Sequence, residues 1–207
     1  MNRVLPKQFL LLNGRPILFY TLERFFAVNT SFRLNLVLPV SHVETWNELI
    51  SRFNFQIPHT VIEGGQTRFH SVKQGLERVK DGLVGVHDGV RPLVSSETIT
   101  RCFNLANETG SGIPVIPVTD SVRILNDGHS ESIDRNFVRF VQTPQCFRSD
   151  LLKKAYDQPY NELFTDCASV VESMKVKVFL TEGNPENIKI TRPIDLMLAE
   201  LQLKHIR

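Results

Sequence analysis

A chain of 207 residues suits one domain with a sizeable core. With 42% hydrophobic and 22% charged residues it has an ordinary globular composition, and a net charge of +2 gives no bulk pull toward nucleic acid or membrane. The three cysteines, Cys102, Cys146 and Cys167, are odd in number and far apart, which excludes a disulfide framework or zinc spacing and makes a reducing cytoplasm the expected compartment.

The chain opens on "MNRVLPKQFLLLNGRPIL", which reads as the tail of a loop with no strand before it. The apolar run "FLLLNGRPILFY" is broken by Asn13, Gly14, Arg15 and Pro16, and is too short and polar for a bilayer span or signal peptide. Residues 17–26 then place Ile17, Leu18, Thr21, Leu22, Phe25 and Phe26 at helical spacing, with Pro16 suited to the first turn. "LNLVLPV" (34–40) predicts a buried strand, followed by a helix capped by Ser41. "PHTVIEGG" predicts a second strand stopped by glycines, and "QTRFHSVKQGLERV" a helix with Phe69, Val72, Leu76 and Val79 on one face.

"GLVGVHDGVRP" predicts a third strand at 83–87 with Asp88 at its carboxyl end. A helix follows over 96–106, and "GIPVIPV" predicts a fourth strand. Strands alternating with helices indicate βαβ units and a parallel sheet. From Thr119 to Phe147 the pattern changes: "SVRIL" and "FVRFV" flank a turn-rich polar middle, as in a projecting hairpin arm. Helical periodicity returns in "SDLLKKAYDQ" and "TDCASVVESM", the latter with Thr165 or Asp166 as cap. "KVKVFLTEG" and "NIKIT" predict late strands, and "RPIDLMLAELQLKH" a closing helix.

Open α/β sheets bind ligands beyond the carboxyl ends of their strands. The polar residues there are Gly64 and Gly65, Asp88 and Arg91, Asp120, Lys189 and Thr191. They supply cations, a carboxylate and glycines, without a paired nucleophile and base, which suits a phosphorylated ligand with a metal ion better than acyl transfer. "HDGVRP" fits a metal-binding carboxylate beside an anion-binding arginine, and equally a turn in which Asp88 pairs with Arg91 for structure alone. Read singly, the glycines fit a tight turn and Lys7 a solvated lysine. Lys189 alternates with apolar Ile188 and Ile190 and must reach solvent or an anion. His42, His59, His70, His87, His129 and His205 lack ligand spacing and read as structural or surface residues.

Taken together, "LPKQF", "GGxxRxxSV", "VHDGVRP", "QTPQCF", "TDCAS" and "NIKITRP" run in order along nearly the whole chain and resemble the 2-C-methyl-D-erythritol 4-phosphate cytidylyltransferases of the non-mevalonate isoprenoid pathway. The resemblance implies an α/β, Rossmann-like nucleotidyltransferase fold with a mostly parallel sheet. It also implies one domain over 1–207 and a homodimer joined by a β-arm at about 119–143. The implied reaction transfers CMP from CTP to the polyol phosphate with Mg²⁺, by in-line attack that needs alignment and fixed positive charge.

By motif, Lys7 and Lys189 would stabilise the reacting phosphates, and Asp88 would hold the metal and border the nucleotide with Gly89. Gly64, Gly65, Gln66 and Ser71 would face CTP; Gln66 stands where an acidic residue is common, a change that a backbone contact survives. Arg91, Ser121, Thr143 and Thr165 would border the substrate, and Arg135 would reach it catalytically from the neighbouring subunit. Cys167 replaces a usual acidic residue and receives no role. The family pattern also begins with a strand and a glycine-rich loop, whose final methionine falls on Met1. The expectation is therefore roughly twenty further residues upstream, enough for one strand and a loop. The alternatives are a ribitol 5-phosphate cytidylyltransferase, a sister family with the same arm, or a catalytically inactive truncated homologue.

Overall fold

The computed structural model describes residues 6–205, leaving the side chain of His205 aside; the expectation attached to Met1 lies outside the described residues. A single 3₁₀ turn, Lys7–Phe9, comes first and is pinned by Phe9, which is fully buried and stacks on Trp46. β1 (Leu11–Leu12) and β2 (Arg15–Pro16) form a small hairpin. Its two-residue turn, Asn13-Gly14, has positive φ at both positions (48° and 79°), as such a turn requires.

α1 (Ile17–Val28) buries Ile17, Leu18, Phe19, Thr21, Leu22 and Phe25, five of them on the stripe read from the sequence. β3 (Asn35–Leu38) leads to α2 (Val40–Phe53), which starts one residue before Ser41; its N-cap is Pro39, without a side-chain cap bond, so Ser41 lies inside the helix and does not cap it. β4 (Thr60–Glu63) precedes α3 (Arg68–Glu77), whose cap Thr67 accepts the His70 backbone N–H. β5 (Leu83–Val86), α4 (Ser96–Thr109) and β6 (Ser111–Pro117) then follow.

The arm differs from its expected pairing. β7 (Val122–Asn126) pairs antiparallel with β8 (His129–Ile133), the polar segment "HSESI", around Asp127-Gly128. The second apolar run becomes β9 (Arg139–Val141), which pairs with β6 in the main sheet. β10 (Gln145–Arg148) runs antiparallel between β5 and β6, so the sheet is mixed where βαβ reasoning gave only parallel strands. α5 (Ser149–Tyr156) and α6 (Cys167–Glu172) follow; α6 has Asp166 as its cap, with a reciprocal bond through Ser169. β11 (Leu180–Glu182) pairs parallel to β6. "NIKIT" is not a strand but an extended segment, fixed by the Ile190 N–H to the Val90 carbonyl, before α7 (Pro193–His205). Among the described residues no helix is long and apolar enough to cross a membrane.

The five-stranded sheet runs β11-β6-β10-β5, with β9 also on β6, while β3 and β4 form a separate parallel pair. One core packs around β6 and β10 through Ile113, Phe147, Leu152 and Val171. Another packs around β3 through Phe19, Leu36, Leu38 and Trp46. Among the described residues β3 has no partner but β4, and β5 none but β10.

Between these two strands runs an apolar trough. A cavity of about 480 Å³ at one end and another of about 710 Å³ at the other share Phe25, Leu34, Val79, Val84 and Gly85 as walls. The first cavity takes in the residues that follow the carboxyl ends of β3 and β5, Pro39 and His87 to Val90; the second lies toward their starts, at Leu34 and Leu83.

Candidate functional site

The first cavity carries its polar groups where β5 ends. Asp88 follows that strand, and both neighbouring cations reach the same carboxylate oxygen: Arg91 Nε donates to Asp88 Oδ2 at 3.2 Å, and Lys189 Nζ lies 3.2 Å from it. Burial works against ionisation of Asp88, but Lys189 and Arg91 outweigh it and hold the carboxyl below its usual range. Two cations around one carboxylate leave the cluster net positive, as an anion-binding cluster needs. Lys189 can reach it because Ile190 is buried and the segment alternates, turning the lysine the other way.

The turn around Asp88 is over-determined. Its carbonyl accepts the Arg91 N–H at 3.0 Å, and Thr21 donates to the Gly89 carbonyl at 3.1 Å. Thr143 Oγ1 accepts the Asp88 N–H at 3.1 Å. Arg91 Nη1 donates to the Asn187 carbonyl at 2.7 Å, and Asn187 Nδ2 donates to the Thr143 carbonyl at 2.8 Å. Gln142 and Asn184, both buried, bind each other and the same loop. Asn187 Oδ1 is buried without a partner.

Behind the opposite side of the cavity, the glycines after β4 pack against β3 and α3. The Gly64 N–H donates to the Leu38 carbonyl at 2.7 Å, and Ser71 donates to the Gly65 carbonyl at 3.4 Å. A Cβ on Gly65 would fall 2.5 Å from the Cβ of His70, so this close approach excludes a larger residue without movement. Ser71 and Arg68 line the cavity beside Asp88, Gly89 and Lys189. Both guanidinium Nη atoms of Arg68 lie 3.6 Å from the Cys167 sulfur, to which the Tyr156 hydroxyl also donates at 3.2 Å; burial pushes the Cys167 thiol up.

Of the residues expected from sequence, the structure thus gathers Asp88, Gly89, Arg91, Thr143 and Lys189, with Gly64, Gly65 and Ser71 alongside. Lys7 and Gln66 are exposed; Gln8, next to Lys7, lines the cavity. Thr165 is exposed one residue before Asp166, which Gln145 Nε2 holds at 2.7 Å. Ser121 and Arg135 sit on the arm, Arg135 donating to the Thr119 carbonyl, and no hydrogen bond or ion pair joins them to Asp88.

Sequence reasoning passes over Asn187, Gln142 and Asn184, and takes His87 as structural or surface. The available signal is two glutamines, Gln142 and Gln145, flanking Thr143-Pro144 at the ends of strand-like segments. Buried amides there must have partners.

Comparison with known proteins places this chain among close relatives. The family model described as 2-C-methyl-D-erythritol 4-phosphate cytidylyltransferase matches residues 1–205. The proteins of that name from Phocaeicola vulgatus and Bacteroides fragilis are each 51% identical, over 97% and 98% of this chain and 92% and 93% of theirs. The crystal structure of the protein of that name from Thermus thermophilus is similar at a TM-score of 0.77 and 31% identity, covering 96% of this chain and 94% of that one. The corresponding structure from Francisella tularensis gives 0.80 and 30%, over 96% and 93%.

Proposed function

This chain belongs to the 2-C-methyl-D-erythritol 4-phosphate cytidylyltransferase family, and from that membership we propose how its site carries out the family's reaction. It transfers CMP from CTP to 2-C-methyl-D-erythritol 4-phosphate in isoprenoid precursor synthesis. A phosphate oxygen of the polyol attacks the α-phosphorus of CTP, a new P–O bond forms, and the bond to the β-phosphate oxygen breaks to release pyrophosphate.

The observation that carries the assignment of roles is the Asp88 carboxylate held between Arg91 and Lys189 at the mouth of the cavity. Charge gathers on the non-bridging oxygens during such a transfer, and cations already in place stabilise it without reorganising. In this reading Lys189 and Lys7 face the reacting phosphates. Gly64, Gly65, Gln66 and Ser71 face the nucleotide, with Gly89 beside it. Arg91, Thr143 and Thr165 border the polyol phosphate, and Ser121 and Arg135 come from the arm of a second copy.

Among the described residues no three His, Cys, Asp or Glu side chains group to cage an ion. Mg²⁺ on a triphosphate needs only one or two carboxylates, with phosphate oxygens and water completing its shell, so Asp88 fits as its protein ligand. Bound there, Mg²⁺ would neutralise phosphate charge.

Pyrophosphate release tests the reading. With CTP and Mg²⁺, the chain should turn over 2-C-methyl-D-erythritol 4-phosphate in preference to ribitol 5-phosphate; the opposite preference would overturn the substrate assignment.

A further inference from the structure

His87 lies at the centre of the polar turn, edge-on to Phe25 at 4.9 Å between ring centroids. Its Nε2 is 3.0 Å from the carbonyl oxygen of Arg91, which can only accept, so that nitrogen carries the ring hydrogen. A neutral imidazole carries a single ring hydrogen, and the Arg91 carbonyl places it on Nε2. Nδ1 is then bare and accepts from the Thr143 hydroxyl at 3.0 Å. That leaves the hydroxyl oxygen as the acceptor for the Asp88 N–H.

The bonds form one directed relay, from the Asp88 amide through the Thr143 hydroxyl and the imidazole to the Arg91 carbonyl. Each hydrogen has a single place in it. We infer that His87 is a positioning residue: its Nε2–H tautomer orients the Thr143 hydroxyl and so fixes Asp88 and Arg91 at the spacing the phosphates meet. The inference rests on the reading of that cluster given under Proposed function. It also commits the one hydroxyl hydrogen of Thr143 to the ring, so in the free chain Thr143 works through Asp88 and not as a donor to an anion.

The two halves of the relay can be cut separately. An asparagine at 87 keeps an acceptor near the Nδ1 position and loses the donor to Arg91; a glutamine reaches the Nε2 position and loses the acceptor for Thr143. His87→Asn should keep kcat within about threefold, whereas His87→Gln should lose about ten- to a hundredfold, the usual effect of one buried hydrogen bond left unmade. In a Thr143→Val background the further loss on His87→Gln should shrink to about twofold, since the shared link is already gone. Equal losses in the two His87 variants, or additive losses with Thr143→Val, would mean that the ring merely fills space.

Nitrogen-15 spectra of the imidazole give an answer that needs no substrate. A protonated Nε2 and bare Nδ1 are expected, and the opposite tautomer would overturn the inference. Absence of pyrophosphate release by the unmodified chain would count against the parent reading alone, and the spectrum would still decide the relay.

Discussion

Asp195 shows how one side chain holds the segment that delivers Lys189. Its Oδ2 accepts the backbone N–H groups of Thr191 and Arg192 at 2.9 and 2.8 Å and the Thr191 hydroxyl at 2.9 Å. These are donors that the start of α7 would otherwise leave unpaired. The backbone bonds from Thr191 and Arg192 lower its pKa to about 2. The sign follows: the folded pKa lies below the unfolded one, so the stabilisation is complete above about pH 4 and is lost as pH falls through about 2. Asp195→Ala should cost about 1 kcal/mol at neutral pH, as loss of a capping carboxylate usually does. In thermal unfolding that is a Tm lower by about 3 °C for a chain of this size. The gap should close as the scan is repeated at more acid pH; a difference that persisted at pH 2 would place the effect elsewhere than in the charge. Lys189 itself was legible in the sequence because Ile188 and Ile190 flank it. Asp195 was not, because a carboxylate three residues into a helix looks the same whether it faces water or the backbone.

At the scale of elements, the trough between β3 and β5 is the largest departure from a continuous sheet. Both strands point the same way along it, and both edges facing it lack a ladder partner among the described residues. Unpaired edges lined by Leu34, Leu36, Leu38, Val84 and Val86 fit an extended apolar strand running parallel to both. With such a strand seated in the trough the protein should be more stable by about 3 kcal/mol or more, the surplus of several buried side chains over the ordering of one strand. Its Tm should rise by about 10 °C, and isothermal calorimetry should show tighter CTP binding. An unchanged Tm would show that the trough does not accept a strand.

The elements themselves were unevenly readable. α1, α3 and β5 carry their periodicity openly, in the stripe ending at Phe25 and in the run "LVGV". The arm misled because "HSESI" has no apolar alternation, while "FVRFV" has it and pairs elsewhere. Only Asp127-Gly128 fixed the register, Asn126 opposite His129. β10 was hidden behind Pro144, which reads as loop.

At the scale of the whole molecule, the arm and the cluster pose one question. Within a single chain Arg135 is exposed and has no bond to the Asp88 cluster. The same arm exposes Leu125 (82%), and Phe137 (85%) stands out beyond its base, which is more apolar surface than an isolated hairpin has reason to carry. The cluster was legible in sequence at Asp88, where motif and strand end coincide, and at Lys189, where a motif lysine alternates with apolar neighbours. Arg135 was read from its motif alone, because no periodicity would record what lies across a twofold axis. A twofold dimer through the arm would give each site Lys7 from one chain and Arg135 from the other. Arg135→Ala and Lys7→Ala should then each lose activity while keeping fold and dimer. Mixed one to one and allowed to exchange, half of the dimers contain one chain of each kind, and each of these has one intact site of two. About a quarter of the unmodified turnover should return. If Lys7 and Arg135 served the same chain's site, every site in the mixture would still lack one of them, and verified mixed dimers would stay as inactive as either parent.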